Sequence, residues 1–209
     1  MSELTPIRIL CVDDHPLFRE GIATVIAYQK DMQLVATAAT ARAAIEEFKK
    51  HRPDVTLMDL RLPDMSGISA VASIRTALPD ARIIMLTTFE GDVEIQRALA
   101  AGVRGYLLKS APLEEIVAVI RKVHSGRKHL PSQVADNLAE HFGSDSLTER
   151  EIEVLKRIAE GDRNRDIGER LSISEETVKV HIKHIMYKLG ARDRTQAVAI
   201  GIRRGVIDI

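Results

Sequence analysis

Two hydrophobic periods take turns through the first three-fifths of the chain, and that alternation limits the fold more than any other feature. Short β-type runs, IRILCVD (7–13), LVATA (34–38), DVTLMD (54–59), RIIMLT (82–87) and GYLL (105–108), are separated by stretches with helical spacing. Those stretches run over residues 17–28, 41–51, 68–78, 93–101 and 113–123. Five β-then-α units predict a five-stranded parallel sheet with five helices on its faces. The first, third and fourth runs are almost wholly apolar, as strands buried on both sides must be.

From Leu147 onward the pattern is helical only. Thr148 and Glu151 form a capping-box pair ahead of Ile152, Leu155, Ile158 and Ala159, and Gly161 closes that helix. Further helices are predicted over 164–171, 175–189 and 195–204, which makes an all-α group of four. Between the halves lies SGRKHLPSQVADNLAEHFGSD, a linker in which Val134, Leu138 and Phe142 recur at four-residue spacing and predict a short helix. The expected domains are residues 1–125, a linker 126–146, and residues 147–209.

Composition excludes some functions. Trp is absent and aromatics are 3% of the 209 residues, so stacking on single-stranded bases is not expected as the main binding mode. Cys11, the one cysteine, rules out an intrachain disulfide and reads as core. No secretory signal pattern and no membrane-length apolar run is visible, so a cytoplasmic protein with no membrane association is expected. Net charge is zero, but residues 147–209 carry 13 Lys/Arg against 11 Asp/Glu.

In an open parallel sheet, ligands bind beyond the carboxyl ends of the strands. The first strand delivers Asp13 and Asp14 there, the third Asp59, the fourth Thr87 and Thr88, and the fifth is followed by Lys109. Crowded carboxylates need a cation, and oxygen-only ligands beside a phosphate favour Mg²⁺. A lysine and a threonine hydroxyl suit a phosphoryl group. The set can therefore place a phosphoryl on a carboxylate, with Asp59 as nucleophile and Lys109 on a phosphate oxygen. His15, next to the acids, reads as a loop or helix-start residue, because an oxygen-rich Mg²⁺ site does not call for it.

Residues 6–125 resemble the receiver domain of two-component response regulators, with the motifs in the same order. The resemblance implies sheet order 2-1-3-4-5 and Asp59 as phospho-acceptor. It further implies metal ligation by Asp13, Asp14, Asp59 and the carbonyl of Arg61, a switch pair Thr87 and Tyr106, and phosphate binding by Lys109. Tyr106 is expected to follow Thr87 inward on phosphorylation. Many receivers follow the lysine with proline. Here Ser110 follows, and because a cis bond before it would cost roughly 3 kcal/mol, a trans bond is expected.

In SEETVKVHIKHIMYKLG, Val178, Ile182, Ile185 and Leu189 form one inward stripe. At roughly 100° per residue Val180 lies nearly opposite, flanked by Lys183 and Tyr187, with Lys179 and His184 at the sides. Between Glu176 and Asp193 there are basic residues and no acid. Lysine can reach guanine or phosphate, and valine a thymine methyl. Residues 145–208 resemble the LuxR-type DNA-binding domain through LTEREIEVL, N-R-x-I, S-x-x-TVKVHIKHI and KLGA-x-x-R. The resemblance places Lys179, Val180 and Lys183 at bases, and Thr177, His181, Lys188 and Arg192 at phosphates of double-stranded DNA. Gly168 stands where the family usually has Ala, which suggests a softer supporting helix. His181 and His184 lack a third metal ligand nearby in sequence. Ala197 and Gly201 form a small-residue strip that suits either a dimer surface or packing within the domain.

The combined order is similar to the NarL/FixJ family. It implies a regulator of transcription, not an enzyme, that accepts phosphate from a sensor histidine kinase and forms a homodimer on DNA. An alternative is a DNA-binding regulator whose receiver acts without phosphorylation. A haloacid-dehalogenase-type phosphatase is disfavoured, because Asp59 is followed by Leu60 and Arg61 and lacks the D-x-D acid.

Overall fold

The computed structural model describes residues 5–88, 92–132, 135 and 147–207. The helix expected through Val134, Leu138 and Phe142 lies outside them. By compactness the chain divides into two units, residues 1–89 with 96–135 and residues 90–95 with 136–209. Among the described residues no helix is long and apolar enough to cross a membrane.

Strands β1 (Ile7–Val12), β2 (Met32–Ala38), β3 (Val55–Asp59), β4 (Ile83–Thr87) and β5 (Gly105–Leu108) alternate with helices α1 (Pro16–Ala27), α2 (Ala41–His51), α3 (Gly67–Ala77), α4 (Asp92–Ala100) and α5 (Leu113–His124). The sheet is parallel throughout, in the order β2-β1-β3-β4-β5. Ile9, Cys11, Val55, Leu57, Ile84, Leu86 and Leu107 point into one core with Ile22 and Ile26 of α1 and Ile116, Ile120 and Val123 of α5. The side chains between them, Leu10, Val12, Met58, Ile83 and Met85, are fully buried as well. Burial of both faces is why these strands show no polar alternation. The chain runs outward from β1 to β2 and then returns past β1 to β3. That reversal opens a crevice at the strands' carboxyl ends.

Local chemistry fixes the element ends. Pro16 opens α1, where its missing N–H is not needed. Thr40 caps α2 by accepting from the Ala43 N–H at 3.2 Å. Beyond α5 the chain returns to the open edge of β5. There His129 donates its N–H to the Arg104 carbonyl, and its own carbonyl accepts from the Tyr106 N–H at 3.0 Å.

The helical half comprises α6 (Glu149–Ala159), α7 (Asn164–Leu171), α8 (Glu175–Leu189) and α9 (Arg194–Arg203) around Val154, Leu155, Ile158, Ile167, Val178, Ile185, Leu189 and Ala197. The expected capping box is present. Glu151 also does more than cap. It is buried, and its carboxylate accepts from the Thr148 N–H at 2.7 Å and from Lys188 Nζ at 2.8 Å. That ion pair ties the start of α6 to the end of α8. Burial alone would raise the Glu151 pKa, but the bonds from Lys188 and Thr148 outweigh it and hold the carboxyl below its usual range.

The small-residue strip packs within its own domain. Ala197 is buried, and a Cβ on Gly201 would stand 2.8 Å from Leu155 Cδ2. A Cβ on Gly168 would stand 2.7 Å from the Ile173 carbonyl oxygen. The missing methyl thus leaves room for the turn between α7 and α8, where Ile173 N–H bonds back to the Gly168 carbonyl at 2.9 Å.

Lys188→Ala leaves the Glu151 carboxylate buried without its cation. We expect a loss of about 2–3 kcal/mol in urea unfolding of the helical half at neutral pH. A depressed carboxyl pKa contributes stability above its unfolded value and loses it as pH falls through the folded one. The difference between variant and parent should therefore shrink as pH falls through and below the ordinary carboxylate range.

Candidate functional site

At the carboxyl edge of the sheet, β1 and β3 are neighbours, and their ends bring Asp13 beside Asp59. Lys109 follows β5, and its backbone N–H bonds to the Thr87 carbonyl at 2.7 Å, so the sheet pattern itself sets where the side chain starts. From there the ammonium reaches across β4 to 2.7 Å from Asp13 Oδ2 and 2.8 Å from Asp59 Oδ2. Asp13 is fully buried and Asp59 nearly so, while Asp14 is exposed at the rim. Oxygens of these three acids and a ring nitrogen of His15 all lie within 4.8 Å of one another.

One ammonium against three carboxylates leaves two negative charges unmatched at contact range. Burial raises the Asp59 pKa; the hydrogen bond and charge of Lys109 oppose this without overcoming it. For Lys109, burial pulls downward, but the bonds to Asp13 and Asp59 win and the pKa is raised. Cys11 lies beneath the site, where burial, aided by the charge of Asp13, pushes its thiol up to about 12. It stays a neutral core residue. The donor set, hard oxygens with a surplus of two negative charges, fits a divalent cation such as Mg²⁺.

The loop after Asp59 is held from several sides. Gly67 opens α3 so close to β3 that a Cβ there would lie 2.0 Å from the Asp59 carbonyl oxygen. Its N–H bonds to the Leu60 carbonyl at 2.9 Å, and Arg61 bridges to Ser66. Asp64 in the same loop accepts from the Ala41 and Arg42 N–H groups at 2.8 and 3.0 Å, so it anchors to the N-terminus of α2. Burial nudges its pKa up, but those backbone bonds dominate and lower it. In the sequence Asp64 stands in a turn-prone group with Pro63, Ser66 and Gly67, and nothing local signals these bonds.

Two further residues were missed. Phe18 sets its ring 5.3 Å from Lys109 Nζ, and Arg19 Nη1 donates to the Asp13 carbonyl at 2.5 Å. Both sit in the first turn of α1, directly after the acids, and that position was the available signal. Thr87 and Tyr106 end β4 and line β5 as expected, but Tyr106 is already 0% exposed. Among the described residues there is no cis peptide bond, in keeping with the expectation before Ser110.

On α8, Lys179, Val180, Lys183, His184 and Tyr187 are exposed, opposite the buried stripe of Val178, Ile185 and Leu189. Thr177 and Arg192 are exposed, and His181 is half-buried. Lys179 pairs with Glu176 at 3.2 Å and Glu175 at 3.6 Å, both in the first turn of its own helix. Lys188 is half-buried and pairs with Glu151 at 2.8 Å. Among the described residues, His181 and His184 join no potential metal cluster.

Residues 9–121 match the family model of the response regulator receiver domain, and residues 145–200 that of the bacterial regulatory proteins of the luxR family. Transcriptional regulatory protein LnrK of Bacillus subtilis (strain 168) is 37% identical over 216 residues, covering 96% of this chain and 98% of the relative. Response regulator ChrA of a heme-sensing two-component system matches in structure with a TM-score of 0.58 at 32% identity, covering 98% and 100% of the two chains. RcsB of Salmonella typhimurium, a response regulator solved in a study of its conformational dynamism for DNA interaction, matches with a TM-score of 0.63 at 25% identity, covering 93% and 97%.

Two outcomes are expected from the site's geometry. Gly67→Ala forces a methyl against the Asp59 backbone and should destabilise the β/α half by about 3 kcal/mol in denaturant titration. Asp59→Asn should raise the thermal midpoint at neutral pH in metal-free buffer. A carboxyl whose pKa is raised by folding penalises the fold once ionised, so the gain should fade as pH drops and the parent's Asp59 takes up its proton.

Proposed function

The chain belongs to the NarL/FixJ family of response regulators, two-component transcriptional regulators with a LuxR-type DNA-binding domain, and from that premise we propose that Asp59 accepts a phosphoryl group which controls DNA binding. The observation that carries this is the Lys109 ammonium held between Asp13 and Asp59 at 2.7 and 2.8 Å, beside a third acid. We assign the receiver to residues 1–125, the linker to 126–146 and the DNA-binding domain to 147–209. The family is one of transcriptional regulators, not enzymes.

In the proposed step an ionised Asp59 oxygen attacks phosphorus and forms a new O–P bond. The bond from phosphorus to the donor, a kinase phosphohistidine or acetyl phosphate, breaks and its electron pair leaves with the donor. Lys109 then donates to a phosphoryl oxygen from where it now holds Asp59, and the Thr87 hydroxyl supplies a second donor. Asp13, Asp14, Asp59 and the Arg61 carbonyl would hold Mg²⁺, which neutralises charge on the transferred group. Because the nucleophile must be ionised and burial raises its pKa, labelling should slow as pH falls.

The phosphoryl draws Thr87 toward it, Tyr106 follows inward, and the chain shifts toward whichever of two arrangements binds the phosphoryl better. The output is homodimerisation that sets two α8 helices on half-sites of double-stranded DNA, inside the cytoplasm. Lys179, Val180 and Lys183 face bases; Thr177, His181, Lys188 and Arg192 face phosphates. The alternative is a DNA-binding regulator whose receiver acts without phosphorylation. DNA affinity that is identical with and without beryllofluoride would select it.

Asp59→Asn should abolish acetyl-phosphate labelling on Phos-tag gels; undiminished labelling would remove the assignment. Lys183→Ala should weaken operator binding by about 1–3 kcal/mol if it reads a base. If it contacts phosphate instead, the salt slope should drop by about one. Footprinting across a salt series separates the two, and unchanged protection would move the reading face elsewhere.

A further inference from the structure

His15 stands at the N-cap of α1, yet its side chain makes no capping bond there. The ring turns toward the acids instead. Nδ1 lies 2.7 Å from Asp14 Oδ1 and 3.2 Å from Asp13 Oδ1. Its backbone N–H also donates to Asp13 Oδ1 at 2.9 Å, and Pro16 follows it into the helix, so the ring's starting point is fixed. The side chain is 70% exposed, which leaves it open to an ion entering from solvent.

Two ligands on adjacent corners of an ion bound at about 2.1 Å stand roughly 3 Å apart. The separations from Nδ1 to the two carboxylate oxygens bracket that value. The ring nitrogen therefore lies where a neighbouring corner of the coordination shell would be, around the ion those oxygens would hold. Imidazole adds little for Mg²⁺, which prefers oxygen, and much for the later first-row divalent ions, which bind nitrogen more strongly along the Irving–Williams order.

We propose that His15 is an additional metal ligand, through which the acidic site takes a borderline transition ion such as Co²⁺, Ni²⁺ or Zn²⁺ more tightly than Mg²⁺. This rests on the reading of the acids as a metal site. A ligating Nδ1 must be unprotonated, whereas a ring that merely hydrogen-bonds Asp14 must carry a proton on the same atom. The two roles are thus exclusive, and substitution separates them. Asparagine keeps a donor toward Asp14 but is a poor ligand; alanine keeps neither.

The test is calorimetric titration of the full-length protein with CoCl₂ and, separately, MgCl₂, for the parent, His15→Ala and His15→Asn. Both variants should lose about tenfold or more in Co²⁺ affinity, at least the effect that outer-shell losses produce at metal sites. Mg²⁺ affinity should hold in His15→Asn. The visible bands of bound Co²⁺ should shift when the nitrogen ligand is lost, and Co²⁺ should broaden the His15 ring resonances of the parent. Unchanged Co²⁺ affinity in His15→Ala, or full recovery of it in His15→Asn, would overturn the proposal while leaving the Mg²⁺ site intact. A parent that binds neither ion would overturn the metal-site reading as well.

Discussion

A lysine ammonium wedged between two buried carboxylates is the interaction from which the rest of the receiver half follows. Asp13 and Asp59 come from adjacent parallel strands, so the sheet brings like charges within a few ångströms of each other. Lys109 from β5 makes that tolerable, and only in part. Burial still lifts the Asp59 pKa, and Asp14 adds a further charge at the rim. The surrounding chain is built to keep this tension in place. Gly67 packs against the Asp59 backbone, Asp64 fastens the loop to α2, Arg19 holds the Asp13 carbonyl, and Phe18 flanks the lysine. A site with unmatched negative charge, a fixed ammonium and a rigid floor has the chemistry that a divalent cation and a phosphoryl group would use.

The helical half has a buried ion pair of its own, with a different consequence. Glu151 and Lys188 join α6 to the far end of α8, and the same carboxylate closes the capping box. Breaking such a pair is costly, because the charge left behind stays buried. The pair therefore fixes the orientation of α8, whose outer face keeps Lys179, Val180 and Lys183 exposed. Lys188, on the basic run of α8, thereby helps to hold that surface in position.

The β/α alternation and the acids at the strand ends were legible in the sequence, because periodicity and strand-end position are local properties; the sheet order, a matter of long-range pairing, came only through the family resemblance. The capping box at Thr148 was legible for the same reason. What was not legible depends on long-range contact. Lys188 lies on the basic run of α8, and nothing within that helix signals a partner 37 positions earlier. Asp64 reads as a turn former because its bonds to α2 span more than 20 residues. The strip of Ala197 and Gly201 fits two partners equally until packing shows Leu155 against it. His15 was set aside because an oxygen-rich Mg²⁺ site does not need it; the direction of its ring is a fact of conformation, not of spacing.

The central claim is that the carboxylate held by Lys109 is the group that takes the phosphoryl, with a divalent ion among the acids. The most direct measurement is borohydride trapping of the acyl phosphate after incubation with acetyl phosphate, followed by peptide mass spectrometry, with Mg²⁺ present and with chelator. The account expects Asp59 converted to homoserine in the Mg²⁺ sample and intact Asp59 in the chelated one. Reduction at another residue, or the same yield in chelator, would contradict it.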